Sequence, residues 1–159
     1  MAIDAAWIGI IGTLAGTVAG AVAAHFQSKS QFTREKESQK RDMIRGKLEE
    51  AHKAIEEVKL AFMSCTGNAM TRVASGQVSE EKPLHFAKAK MLIGFYAPEL
   101  KSSLAQLEAE WIKHNQAMIK TFKPSEARQG LTEMTQVTAN IGEICSKMQD
   151  ELAIISRNY

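Results

Sequence analysis

The residues with the most chemical potential in this chain are four histidines, His25, His52, His85 and His114, and two cysteines, Cys65 and Cys145. Glu49-x-x-His52 matches one half of a di-iron carboxylate site. Such a site needs a second Glu-x-x-His and two more glutamates from facing helices, and no second copy of the motif occurs. Glu110 and His114 are four apart, a common spacing on a helix surface. His52 is therefore expected beside an apolar seam at the surface, and His114 at the edge of one. Ser64-Cys65-Thr66 sets three nucleophile types in a row, but no acid–base partner can be identified for them from sequence. Phosphate-binding GxxxxGK[ST], HExxH and GxSxG patterns are absent from the sequence. No catalytic residue, metal ligand or cofactor is expected, and the chain reads as something other than an enzyme. Each cysteine falls on or beside an apolar stripe, so both are expected as small buried hydrophobes in a reducing compartment rather than as a disulfide.

The basic residues are the second resource. The net charge is only +2, too small to imply nucleic-acid binding by itself. Three local groups stand out. Lys82, Lys88 and Lys90 gather with His85 on one predicted helix. Lys113, Lys120, Lys123 and Arg128 gather around the turn between the last two helices. If those two groups meet, they would hold an anion such as a nucleotide or a short oligonucleotide through phosphate contacts; the plainer reading is scattered, solvated lysine. The third group lies nearer the N-terminus. From Lys29 to Lys47 there are seven basic and three acidic residues, a local balance of +4. Here Lys29, Arg34, Lys36, Lys40 and Arg41 are a topology signal and candidates for touching anionic lipid headgroups.

Positioning these residues is the work of helices. No formally charged residue occurs between Asp4 and Lys29, and Ala5 to Ala24 is almost wholly apolar or small. Twenty helical residues span roughly 30 Å, the thickness of a bilayer's hydrocarbon core, so residues 1–28 are expected to form a transmembrane helix. Trp7 near one end suits the interface. Two other readings compete: a cleavable leader ending near Ala21-Val22-Ala23, although the first residues carry no Lys or Arg, and a buried helix of a soluble domain. Basic residues only on the far side place the N-terminus outside and the rest of the chain in the cytoplasm, with a bacterial inner membrane as the setting. Gly12, Gly16 and Gly20 are spaced by four, Ala24 continues the row, and Gly9 lies on the neighbouring ridge. Such a row lets a second helix approach closely in lipid, with Thr13 and Thr17 as interhelical or pore-lining polar groups. The transmembrane partner is expected to be another copy of the chain.

Residues 29–43 read as a basic, solvated stalk continuing that helix. Residues 44–159 read as a cytoplasmic bundle of three to four helices, making the protein all-α. Its first seam is Ile44, Leu48, Ala51, Ile55, Val58, Phe62 and Cys65, at alternating spacings of 4 and 3. Gly67-Asn68 is one place for this helix to stop, and Ala69, Met70 and Val73 are able to extend it. Leu84, Ala87, Met91 and Phe95 mark a short second helix, with a break at Tyr96-Ala97 before Pro98. Leu100, Leu104, Leu107, Trp111, His114, Met118 and Phe122 mark the third. Ser125 is the expected N-cap of the fourth, whose stripe is Leu131, Met134, Thr138, Ile141, Cys145, Met148, Leu152 and Ile155, widened by Val137 and Ile144.

With Gly12, Gly16 and Gly20 in the span and a helical cytosolic part, the layout resembles the small membrane effectors of bacterial antiphage systems, such as the membrane proteins of the Hailong system. The resemblance covers the arrangement of the whole chain and includes no diagnostic motif. It implies a homo-oligomeric effector whose membrane helices assemble into a pore or disrupt the inner membrane under control of the cytosolic bundle. The partners expected are membrane lipid, further copies of the chain, and a cytosolic regulatory protein or a small anionic or oligonucleotide ligand. The competing expectation is a membrane-tethered scaffold that recruits another protein and forms no pore.

Overall fold

The computed structural model describes residues 3–76 and 86–159, and the side chains of residues 20, 24–76 and 86–159. The described residues form four α-helices and one 3-10 turn, with no strand among them: α1 (Ile3–Ser75), α2 (Phe86–Tyr96), the turn Pro98–Leu100, α3 (Lys101–Thr121) and α4 (Ala127–Ser156). The protein is all-helical, as the seams predict. The chain divides into two compact units, Met1–Met43 and Ile44–Tyr159.

In the first unit the described side chains, Gly20 and those from Ala24 to Met43, are all exposed. Among the described residues no helix is long and apolar enough to cross a membrane. Most of the apolar run proposed to do so, including Gly9, Gly12, Thr13, Gly16 and Thr17, lies outside the described side chains.

The second unit is a bundle closed within one chain. Phe62 of α1 lies against His114 of α3, and Arg72 against Phe122, so α1 and α3 run parallel. Lys120 pairs with Glu133 and Glu110 with Asn140, so α4 runs antiparallel to α3. Two parallel neighbours need a return path, and α2 lies on it: Lys88 reaches Glu57 of α1, Lys90 reaches Glu108 of α3, and Phe86 stacks on Trp111. The main core joins Leu48, Ile55, Val58 and Phe62 of α1 to Leu92 and Ile93 of α2, Leu107 of α3, and Ile141, Met148 and Leu152 of α4. A smaller cluster of Ala69, Ala117 and Met134 closes the other end.

Local chemistry accounts for most of the element ends. α1 passes Gly67-Asn68 and stops at Ser75. There Gly76 turns into the left-handed region at φ +70° and its N–H bonds the Arg72 carbonyl at 2.8 Å, a glycine C-cap. Ala97 is forced out of the helical region by Pro98, with φ −141° and ψ 60°. Both the first seam and the α4 stripe are buried along their length, apart from half-buried residues at their ends and at Thr138.

Three expectations need correction. α2 does not bury Ala87, Met91 and Phe95, which are exposed, Phe95 by 78 %. It buries Phe86, Ala89, Leu92 and Ile93 instead. Both faces satisfy the 3–4 spacing, and the lysines decide between them. Lys88 lies only about 20° beyond the edge of the expected face, whereas Lys88 and Lys90 stand clear of the observed one by roughly 40° on either side, at roughly 100° per residue. α3 turns the same way beyond Leu107. Glu110, His114, Ala117 and Thr121 go inward, while Trp111 and Phe122 stay at the surface. Ser125 caps nothing: α4 starts at Ala127, the cap position is Glu126 with no side-chain cap bond, and Glu126 instead meets Lys123 at 3.3 Å.

Candidate functional site

Gly130 explains why α3 rotates. A Cβ built at Gly130 would lie 2.7 Å from the Lys120 Cβ, 2.8 Å from the Ala117 carbonyl oxygen and 2.9 Å from the Thr121 nitrogen. The backbones of α3 and α4 therefore approach closely at their joint, and only small or β-branched side chains fit beneath it. Ala117 and Thr121 fill that place, which swings the larger Met118 and Phe122 toward α1. Met118 Sδ accepts from Cys65 Sγ at 3.7 Å, and Phe122 offers its ring to Arg72, whose guanidinium carbon is 4.1 Å from the centroid.

The same rotation carries His114 inside. It is only 1 % exposed, so the expectation that it sits at the edge of a seam is corrected. Its Nε2 lies 3.3 Å from Thr66 Oγ1, which is itself 2.6 Å from Thr138 Oγ1. The imidazole edge meets the Phe62 ring with centroids 4.9 Å apart. One side chain from each of α1, α3 and α4 thus meets in a polar node within apolar surroundings. A buried polar group is stable there only when hydrogen-bonded, so the node fixes which rungs of the three helices stand opposite one another. The Ser64-Cys65-Thr66 run does have a histidine neighbour, in Thr66–His114, supplied from 48 residues away. Sequence spacing carried no signal for that pair.

One turn before His114, Glu110 bonds Lys113 and accepts from Asn140 Nδ2 at 3.3 Å. Its carboxyl is held below the usual range, first by the Lys113 hydrogen bond and then by Asn140, against the opposing effect of burial. Glu133 accepts from Lys120 at 2.7–2.8 Å and from Gln129 at 2.9 Å, and is lowered by both. Cys145 is buried, and that burial pushes its thiol up to about 11. Glu49 and His52 are both exposed, and among the described residues no group of three His, Cys, Asp or Glu side chains is placed to hold a metal ion.

The basic groups come together in part. Lys113 and Lys120 line one groove of about 740 Å³ between α3 and α4, with Gln116, Thr132, Glu133, Gln136 and Val137. Lys123 and Arg128 do not line it, and Lys88 and Lys90 belong to α2 on another side of the bundle. Lys82 lies outside the described residues. Each described lysine of these two groups has a glutamate beside it: Lys88–Glu57 at 3.9 Å, Lys90–Glu108 at 2.7 Å, Lys113–Glu110, Lys120–Glu133 at 2.7 Å and Lys123–Glu126 at 3.3 Å. An anion entering the groove has to compete with a carboxylate already seated there.

The N-terminal groups behave differently. Among the described residues Lys29, Arg34, Lys36 and Lys40 form no ion pair, and Arg41 approaches Glu37 only to 3.9 Å. Phe26 and Phe32 stand among them, 67 % and 65 % exposed. Of the glycine row, Gly20 and Ala24 are exposed, and a Cβ added at Gly20 would meet nothing within 4 Å.

Comparison with known proteins adds no family: no family model, no curated protein and no solved structure matches this chain.

Proposed function

We propose that the protein is a homo-oligomeric membrane effector, inserted in a bacterial inner membrane through residues 1–28 with the bundle in the cytoplasm. The row Gly12, Gly16, Gly20 and Ala24, with Gly9 on the neighbouring ridge, packs copies together so that they form a pore or disrupt the bilayer, with Thr13 and Thr17 as its polar lining. The bundle controls that assembly and catalyses nothing. The observation that carries this reading is the strict four-residue register of glycines in an uncharged stretch. Glycine lowers both hydrophobicity and helix propensity, so a mere anchor has no use for it, whereas close helix packing in lipid does. Gly16→Leu should abolish oligomers captured by cross-linking in membranes while leaving the bundle folded. Oligomers of unchanged size in that variant would refute the reading.

A second reading, a tethered scaffold that recruits a partner, draws on a different observation. From Leu60 to Thr71 α1 carries no charged residue, and Leu60, Met63 and Met70 on it are 55 %, 54 % and 43 % exposed. Charge-poor, methionine-bearing surface is typical of interface cores. Replacing residues 5–24 with an unrelated transmembrane helix would preserve activity in a scaffold and destroy it in a helix-packed effector.

A further inference from the structure

Lys29, Arg34, Lys36, Lys40 and Arg41 lie together on one fully exposed stretch of α1. In the bundle, Lys88, Lys90, Lys113, Lys120 and Lys123 lie beside glutamates. In residues 24–43 every side chain is exposed, and four of the five cations from Lys29 to Arg41 have no carboxylate within 4 Å. Their arrangement on the helix is also ordered. At roughly 100° per residue, Lys29, Phe32, Lys36, Lys40 and Met43 share a face about 80° wide. Arg34 and Arg41 lie on the opposite side, and Glu35, Glu37 and Asp42 all lie off the lysine face. That face therefore sets three lysines beside two large apolar side chains, Phe32 65 % and Met43 54 % exposed.

We infer that the lysine face of residues 29–43 is a binding surface for anionic phospholipid. The chemistry is complementary on both counts. Lysine stems lie along apolar surface while their ammonium groups reach phosphate, and Phe32 and Met43 enter the boundary between headgroups and acyl chains. Unpaired cations gain the attraction of an anionic surface without first breaking an ion pair. This inference rests on the membrane reading only for bringing the segment to a bilayer; the preference for anionic lipid belongs to the segment itself.

The test is flotation of the full-length protein with vesicles of pure phosphatidylcholine and with vesicles containing roughly 30 % phosphatidylglycerol, near physiological salt. Three forms are compared: wild type, Lys36→Gln with Lys40→Gln, and Arg34→Gln with Arg41→Gln. The two double variants remove equal charge from opposite faces, and circular dichroism verifies that helix content is unchanged. Surface attraction is worth roughly fivefold per basic residue. Wild type should therefore favour the anionic vesicles at least tenfold, the lysine variant should lose most of that preference, and the arginine variant should lose little. Phe32→Ser should weaken binding to anionic vesicles at unchanged charge. Equal partition of wild type into both vesicles overturns the inference. So does equal loss in the two double variants, or displacement of wild type from anionic vesicles by a short oligonucleotide at equal phosphate, which would make nucleic acid the partner. Failure of the membrane-span reading looks different: binding to anionic vesicles with none to phosphatidylcholine keeps the lysine face and removes the span.

Discussion

His114 and Gly130 together decide how the bundle is keyed. Thr66→Val removes hydrogen bonds from both His114 and Thr138 in a buried place, and should destabilise the bundle by about 1–3 kcal/mol, read as a lower urea midpoint at unchanged slope. Gly130→Ala drives a methyl group into backbone at 2.8–2.9 Å and should cost about 1–3 kcal/mol as an overpacking change. Gly142, also inside α4, has nothing within 4 Å of an added Cβ, so Gly142→Ala should stabilise by about 0.5–1 kcal/mol. Opposite signs from two glycines of one helix separate packing from propensity, and destabilisation by both would contradict the packing described. At Cys145, burial favours the neutral thiol. It should react with iodoacetamide at pH 8 at least tenfold more slowly than half-buried Cys65, as mass spectrometry of timed samples would show. Because its folded value lies above the unfolded one, its contribution to stability is complete below about pH 9 and is lost as pH rises through about 11.

Element-scale behaviour follows the ion pairs across α3 and α4. Glu110 and Glu133 are both lowered in the fold, so their contribution is present above the unfolded value of 4.5 and disappears as pH falls below it through the folded values. Acid titration should therefore loosen the α3–α4 joint first, and Glu133→Gln should flatten the loss of thermal stability below pH 4.5; an unaltered acid profile would mean that the Lys120–Glu133 pair contributes nothing. Much of this level was legible in the sequence. The first seam and the α4 stripe could be read because each helix has one apolar face bounded by charge. α2 and the end of α3 could not be read by spacing alone. Their apolar residues encircle the helix, and the choice of face was made by residues of other elements, namely Gly130 for α3 and, for α2, Glu57 and Glu108, which pair with Lys88 and Lys90. The node of Thr66, His114 and Thr138 was invisible for the same reason, since each member looks like an ordinary helix residue until three elements meet.

At the scale of the whole molecule, five lysines from α2 to the turn before α4 are paired with glutamates of the bundle, whereas Phe26, Phe32 and the cations from Lys29 to Arg41 are exposed. The central claim is that the glycine row assembles copies of the chain and compromises a membrane. Membrane potential, followed with a voltage-sensitive dye in bacteria expressing wild type or Gly16→Leu at matched levels, tests it most directly. Depolarisation by the wild type alone is the predicted result. Depolarisation by neither form, or equally by both, would contradict the claim.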